Sequence, residues 1–284
     1  MILGIDVGGT TIKFGIVNDK GEILETERHD TLLYSKTPAE FIGLLIKVSK
    51  QYAEKYSDIS GIGIGLPGQL SLDRQTLIQA NNLGTLNGTD IVPQLKAAFP
   101  NWVVRMENDA NCTALGELYF GGHNVDDFVM IALGTGVGGG VVVGRELFLG
   151  AKGNAGEVGF LVVGPDRKVL EDYIGQRRLV AYVLDQLNKP ENANSILQKQ
   201  EITVEKVFNA AKAGDKFSIQ VFEFVGELIG ETMVGLMHAF DITKIIIGGG
   251  VGKAFDLFAP SAIKTAKKYL SPYYADCLLY TSPS

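Results

Sequence analysis

Cysteine is nearly absent: Cys112 and Cys277 are the two in 284 residues, and neither belongs to a C-x-x-C pair. That excludes a disulfide framework and leaves no thiolate cluster to hold a metal. Histidine is as sparse, and His29, His123 and His238 are isolated, unlike a set of metal ligands. No apolar run approaches the about 18 residues that a membrane span needs. The first residues enter a strand pattern at once, without the charged region and apolar run of a signal peptide. Positive charge is in deficit, with 26 Lys and Arg against 32 Asp and Glu for a net charge of −6. A nucleic-acid footprint would instead be basic and clustered. The expectation is a cytoplasmic protein of a reducing compartment, without nucleic-acid or membrane partners.

What the chain has is apolar residues, 46% of the total, and 35 glycines. That much apolar content can fill one large core or two medium ones. The glycines gather at the ends of strand-like runs. Asp6-Val7-Gly8-Gly9-Thr10-Thr11-Ile12-Lys13 lies between the apolar runs 2–5 and 12–17. Strand, glycine turn and strand is the simplest reading. Glycines let backbone N–H groups approach a ligand. Hydroxyls, the Lys13 ammonium and a carboxylate able to hold Mg²⁺ or its waters suit a phosphate. An ordinary hairpin with a polar tip has the same spacing.

A second copy follows. Residues 128–133 read as a buried strand, Gly134-Thr135-Gly136-Val137-Gly138-Gly139 as a turn, and 140–143 as another strand. The glycines satisfy G-x-G-x-x-G, yet a dinucleotide fingerprint requires a helix directly after them. Val141-Val142-Val143 and a Gly144-Arg145 turn come instead, so the dinucleotide reading fails. Two glycine–threonine hairpins, one in each half, suggest related domains gripping one phosphate chain.

The rest of the pattern is α/β, reading as β-β-β-α-β-α twice. Thr37-Pro38-Ala39-Glu40 is a capping box with proline at the first helical position. Phe41, Leu44, Leu45, Val48 and Tyr52 form the apolar face of that helix. Residues 61–66 alternate glycine with apolar residues, a strand that something approaches closely. A strand over 102–107 runs into Asn108-Asp109 and a helix over 110–120. Further on come a long helix over 215–240, a strand over 244–247 and the turn Gly248-Gly249-Gly250. Asp109 stands just beyond a strand's carboxyl end, where open α/β sheets place ligands. It either caps the helix or acts as a base there.

Asp6 to Lys13, Gly65-Leu66-Pro67-Gly68, Glu107-Asn108-Asp109-Ala110-Asn111, Leu133 to Gly140 and Gly156-Glu157-Val158-Gly159 occur in this order. In that set and order the chain resembles the ROK (repressor/open-reading-frame/kinase) sugar kinases over about residues 1–275. The resemblance implies an α/β protein of two domains with the actin/hexokinase-like, ribonuclease H-like ATPase fold, ATP and sugar lying in the cleft between them. The expected domains are 1–115 and 116–276, with 277–284 as a tail. The implied function is an ATP-dependent hexose kinase, glucose first, with Asp109 taking the proton of the attacked hydroxyl. Gly68, Asn82, Asn108, Asp109, Glu157 and Glu171 would bind the sugar. Asp6, Gly8, Gly9, Thr10, Thr11, Lys13, Gly134, Thr135 and Gly136 would face phosphate. Gly248, Gly249 and Gly250 would pass beneath the adenosine, and Asp6 would hold Mg²⁺ through water. A homodimer is also implied.

Two departures stand out. Family members carry a His after Gly-Glu-x-Gly and then a cysteine zinc cluster. This chain has Phe160 and a cysteine-free segment 162–169, so no structural zinc is expected. Members also continue past the adenosine turn with a strand and closing helix, whereas residues 277–284 fit nothing the resemblance implies. N-acetylmannosamine, fructose and mannose remain alternative substrates, and polyphosphate an alternative donor. A sugar sensor without turnover is a further alternative. A repressor would need an added winged helix, for which a first strand starting at residue 2 leaves no room. A β-branched residue at 136 is expected to block ATP and spare the sugar residues.

Overall fold

The computed structural model describes residues 1–277 and 279–281. The chain divides into two compact units, Met1–Cys112 with Leu149–Ala155, and Thr113–Phe148 with Gly156–Ser284. The division falls inside the helix Asp109–Phe120, and the segment 149–155 returns to the first unit.

The first unit is built on strands β1 (Ile2–Val7), β2 (Thr11–Val17), β3 (Ile23–Asp30), β4 (Gly61–Leu66) and β5 (Val103–Asn108), in the order β3-β2-β1-β4-β5. β1 runs antiparallel to β2 and parallel to β4, and β4 runs parallel to β5. Leu3, Ile5, Val7, Ile12, Phe14 and Ile16 are buried on one face, the period-2 alternation of a half-covered sheet. The helix Pro38–Lys55 supplies Phe41, Leu44, Leu45, Val48 and Tyr52 to that core. Thr37 caps it, its hydroxyl accepting the Glu40 N–H at 3.2 Å. Between β4 and β5 the chain forms a small sheet of Gln69–Leu70, Thr76–Gln79 and Thr89–Asp90, which the sequence pattern did not suggest. Asn81–Leu86 forms a 3₁₀ turn.

The second unit repeats the arrangement with β6 (Phe128–Leu133), β7 (Val137–Val143), β8 (Glu146–Leu147), β9 (Lys244–Gly248) and β10 (Leu279–Thr281), in the order β8-β7-β6-β9-β10. β6 is buried along nearly its whole length, as a strand covered on both faces must be. The helix Lys216–Phe240 packs on the helix Phe255–Tyr269. Gly226 and Gly230 face it, and a Cβ at either would collide with that helix. Two expectations change here. β7 begins at Val137, so the second glycine turn is shorter than the run 134–139, and Gly138, Gly139 and Gly140 lie in a strand. The backbone of Leu279–Thr281 pairs in parallel with Lys244–Ile246 as a fifth strand, so part of the segment 277–284, which fits nothing the resemblance implies, belongs to the sheet. Residues 278 and 282–284 of the tail lie outside the described residues. Among the described residues no helix is long and apolar enough to cross a membrane.

Candidate functional site

In the first unit the candidate residues meet at the carboxyl edge of the parallel strands. Register aligns Lys13 with Asp6, Asp6 with Gly65, and Gly65 with Glu107, one row across β2, β1, β4 and β5. Gly65 keeps the middle of the row open. A Cβ there would lie 3.2 Å from Cys112 Sγ and 3.9 Å from Asp109 Cα, so its absence lets the first turn of helix Asp109–Phe120 settle over the sheet. Gly61 is also packed closely, its Cβ position 2.6 Å from Val103 O, whereas Gly63 has open space.

Lys13 Nζ donates to Asp6 Oδ2 at 2.8 Å, with the two side chains 49% and 56% exposed. So exposed a pair contributes about 0–1 kcal/mol and can reorganise around a ligand. Hydrogen bonds hold the turn beneath. Gly8 N–H donates to Thr11 O at 2.9 Å, the Thr31 hydroxyl to Gly8 O at 2.7 Å, and Thr31 N–H to Thr10 O at 2.9 Å. Neither Gly8 nor Gly9 has a positive φ, so left-handed geometry does not explain them. Gly9 instead lies against Asn82, a Cβ there reaching the Asn82 Cβ at 3.4 Å. That contact brings a proposed phosphate residue beside a proposed sugar residue.

Asp109 starts its helix directly after β5, and its Oδ1 accepts the Ala110 N–H at 2.9 Å. Capping falls to Asn108, whose Oδ1 accepts the N–H groups of Ala110 at 2.9 Å and Asn111 at 3.2 Å. Its amide donates to Gly68 O at 3.3 Å. Asn108 therefore caps the helix through two N–H groups, and Asp109 shares one of them. One side of Asp109 meets solvent, yet the protein crowds the rest. Desolvation pushes its carboxyl above the ordinary range, with Asp6 repelling in the same sense and the Ala110 N–H opposing both. The same surroundings drive the Cys112 thiol up to about 12, through burial first and then Glu107, Asp109 and Asp6.

In the second unit the turn Gly134–Gly136 closes with a Gly134 N–H to Gly136 O bond of 2.9 Å. Thr135 is exposed at its tip. Glu171 lies at the start of the helix Leu170–Ile174. Its Oε2 accepts the Val137 N–H at 2.8 Å. A Cβ at Gly136 would collide with that carboxylate. A bulky residue at 136 would therefore displace the Glu171 carboxylate before it met a ligand, which bears on the expectation that it spares the sugar residues. Glu157 sits in a tight turn in which Val158 N–H reaches Gly156 O at 2.7 Å. This loop lies on β7 through missing side chains: a Cβ at Gly139 would come within 2.6 Å of Gly156 O, and one at Gly159 would strike Val137 O. Gly249, with φ of +85°, follows β9 against Leu133 O, while Gly250 is exposed.

Phe160, where the resemblance places a His, is 61% exposed. The cysteine-free segment forms a hairpin, Val162–Val163 with Lys168–Val169. Protein groups hold it: Gly164 N–H donates to Glu231 Oε2 at 2.8 Å and Asp166 N–H to the Tyr173 hydroxyl at 3.0 Å. Among the described residues no group of three or more His, Cys, Asp or Glu is placed to hold a metal ion. Each histidine has its own partner: Glu27 for His29, Glu117 for His123 and Val234 O for His238.

Sequence reasoning missed Arg74. It occupies a left-handed conformation, φ +57°, in a polar turn, and its guanidinium reaches Glu107 Oε2 at 2.9 Å and Gly153 O at 2.8 Å. Nothing local in Leu72-Asp73-Arg74-Gln75 signals those partners.

Residues 2–279 match the ROK family. A glucokinase of Halalkalibacterium halodurans is 30% identical, over 96% of this chain and 87% of its own length. The crystal structure of a candidate sugar kinase from Cytophaga hutchinsonii superposes with a TM-score of 0.94 at 36% identity, covering 100% of this chain and 94% of that one. A ROK glucokinase from Streptomyces griseus, in complex with glucose and AMPPNP, gives a TM-score of 0.81 at 28% identity, over 99% and 94%. The paired sheets are those of the actin/hexokinase-like fold. With that fold, the five motifs in order and a match along nearly its whole length, the chain belongs to the ROK family.

Proposed function

We propose that this protein is an ATP-dependent hexose kinase that converts D-glucose and ATP to glucose 6-phosphate and ADP. One observation carries the reading. A carboxylate of raised pKa, Asp109, stands at the carboxyl edge of a parallel sheet, next to the Asp6–Lys13 pair and the glycine turn. Phosphoryl transfer to a hydroxyl needs positioning, charge neutralisation and an acceptor for the hydroxyl proton. Asp109 accepts that proton, and its raised pKa brings it nearer to the working pH of a general base.

Asn82, Asn108, Glu157, Glu171 and the backbone at Gly68 hold the sugar hydroxyls in this reading. Asn108 already has its oxygen on the helix start, so its amide is what it offers. Thr10, Thr11, Lys13, Thr135 and Gly136 face the donor phosphates, and Gly248–Gly250 the adenosine. Asp6 is a single carboxylate, which fits Mg²⁺ because that ion keeps several waters and takes its other ligands from phosphate. Bound there, Mg²⁺ would neutralise donor charge.

Glucose ranks first because relatives at 30% identity bear the name glucokinase. ATP ranks first as donor because a similar structure holds AMPPNP. The test is ADP release with ATP·Mg²⁺ against glucose, mannose, fructose and N-acetylmannosamine. Fastest turnover of glucose is expected; absence of turnover on every sugar would leave a sugar-binding protein without kinase activity.

A further inference from the structure

Arg74 is among the more enclosed charges of the first unit, 13% exposed against a Glu107 that is 15% exposed. Its contacts join three pieces of chain remote in sequence. Nε bonds Glu107 Oε2 at 2.9 Å, Nη2 bonds Gly153 O at 2.8 Å and Nη1 bonds Ser71 O at 3.3 Å. Gly153, with φ of +75°, is shaped to receive it, since a Cβ there would lie 2.6 Å from Nη1. Glu107 passes the constraint on. Its Oε1 accepts the Asn108 N–H at 2.9 Å and the Asn111 amide at 3.1 Å, and both residues flank Asp109.

We propose that Arg74 is a positioning residue for Asp109: it fixes the start of the Asp109 helix through Glu107 and cancels the Glu107 charge beside the base. The inference rests on Asp109 being that base. The titratable groups around Asp109 in this unit are Asp6 and Lys13 on β1 and β2, Glu107 on β5, and Cys112 on its own helix. Asp6 has Lys13 at 2.8 Å and Glu107 has Arg74 at 2.9 Å, so each acidic neighbour carries its own counter-ion. Asp6 repels Asp109 all the same. Glu107 does raise Cys112 on the next turn, so its charge reaches this region. Removing Arg74 would expose Asp109 to that charge. An uncancelled neighbouring carboxylate disfavours ionisation, and an uncancelled guanidinium favours it.

The test is the pH dependence of kcat for the wild type, Arg74→Met, Arg74→Lys, Glu107→Gln and the double variant Arg74→Met/Glu107→Gln. Arg74→Met should move the acidic limb up by about one pH unit, and Glu107→Gln should move it down. The double variant has neither charge stranded, which protects its folding, and should return close to the wild type. Arg74→Lys keeps the charge and loses the fork. It should keep the limb while kcat falls. Shifts of the two single variants in the same direction, or limbs unmoved in both, would overturn the inference. Asp109→Asn, run in parallel, separates it from the functional reading: loss of turnover there with unmoved limbs elsewhere overturns the role of Arg74 alone. A fully active Asp109→Asn removes the base and this inference together.

Discussion

The two units solve one topological problem twice and equip the result differently. Both sheets have two antiparallel pairings on one side of the first strand and two parallel pairings on the other. In both, a glycine turn joins the first two strands, and the fourth ends near a left-handed glycine, Gly68 or Gly249. A Cβ would collide with Gln79 O at Gly68 and with Leu133 O at Gly249. The first unit loads this edge with charge, in Asp6, Lys13, Glu107, Arg74 and Asp109. The second has no charged residue in its turn, Gly134–Gly136, and sets one carboxylate, Glu171, on the backbone behind it. Shared topology fixes where a ligand edge lies, and the side chains on it decide the chemistry. In the proposed reading the proton-handling group belongs to the first unit, while the second offers backbone and hydroxyl donors.

The largest effect that would break this contrast comes from Asp109→Asn. The amide keeps the shape and cannot take the proton, so kcat should fall by about 10²–10⁴-fold while calorimetric affinity for glucose stays near the wild type. Retention of a tenth of the rate or more would mean that the first unit does not hold the base.

The turns themselves give the next test. Gly136→Val forces Glu171 off the Val137 N–H, so affinity for both ATP and glucose should drop, with kcat/KM down roughly 10- to 100-fold. Gly9→Ala meets Asn82 at an ordinary 3.4 Å without left-handed strain. Its stability should stay within about 0.5 kcal/mol of the wild type. Equal losses of stability in melts of the two variants would show that the turns are built alike after all.

Much of this was legible in the sequence, and the exceptions share a cause. Period-2 burial marked β1 and β2, the capping box marked the helix at Pro38, and the strand-to-helix junction marked Asp109. Arg74 was invisible because its partners Glu107 and Gly153 lie 33 and 79 residues away. Glu171 was visible as a carboxylate and illegible as a brace for the turn, 34 residues from Val137. Gly138 and Gly139 looked like turn because glycine is a poor strand former. They lie in β7 because the loop carrying Glu157 packs directly on that strand.

A smaller effect separates protein-held from metal-held loops. The hairpin over 162–169 hangs on Glu231 and Tyr173. Glu231→Ala strands a partly buried N–H and should cost about 1–2 kcal/mol, read as a lower denaturant midpoint. Washing the wild type with a chelator should leave that midpoint unchanged, and elemental analysis should find no stoichiometric zinc. A chelator-sensitive midpoint would mean that a metal shares the load.

The smallest effect comes from the variant with the largest. Desolvation and the Asp6 charge hold the Asp109 pKa above its unfolded value, and the opposing Ala110 N–H does not cancel them. A carboxyl raised on folding adds stability only while protonated, below the ordinary range of about 3.9. That contribution disappears as pH rises through the folded pKa. At pH 7 the ionised Asp109 therefore weakens the fold. Asp109→Asn should melt higher than the wild type there, by a margin kept small because solvent reaches one side of the carboxyl. Near pH 3 the margin should shrink, since that lies below the ordinary value of about 3.9 and a carboxyl raised on folding is then mostly protonated in both states. Melting curves of both proteins at the two pH values decide the point. A wild type that melts higher at neutral pH would mean that the helix N-terminus stabilises the charge more than its surroundings oppose it, and that Asp109 serves the fold before it serves the reaction.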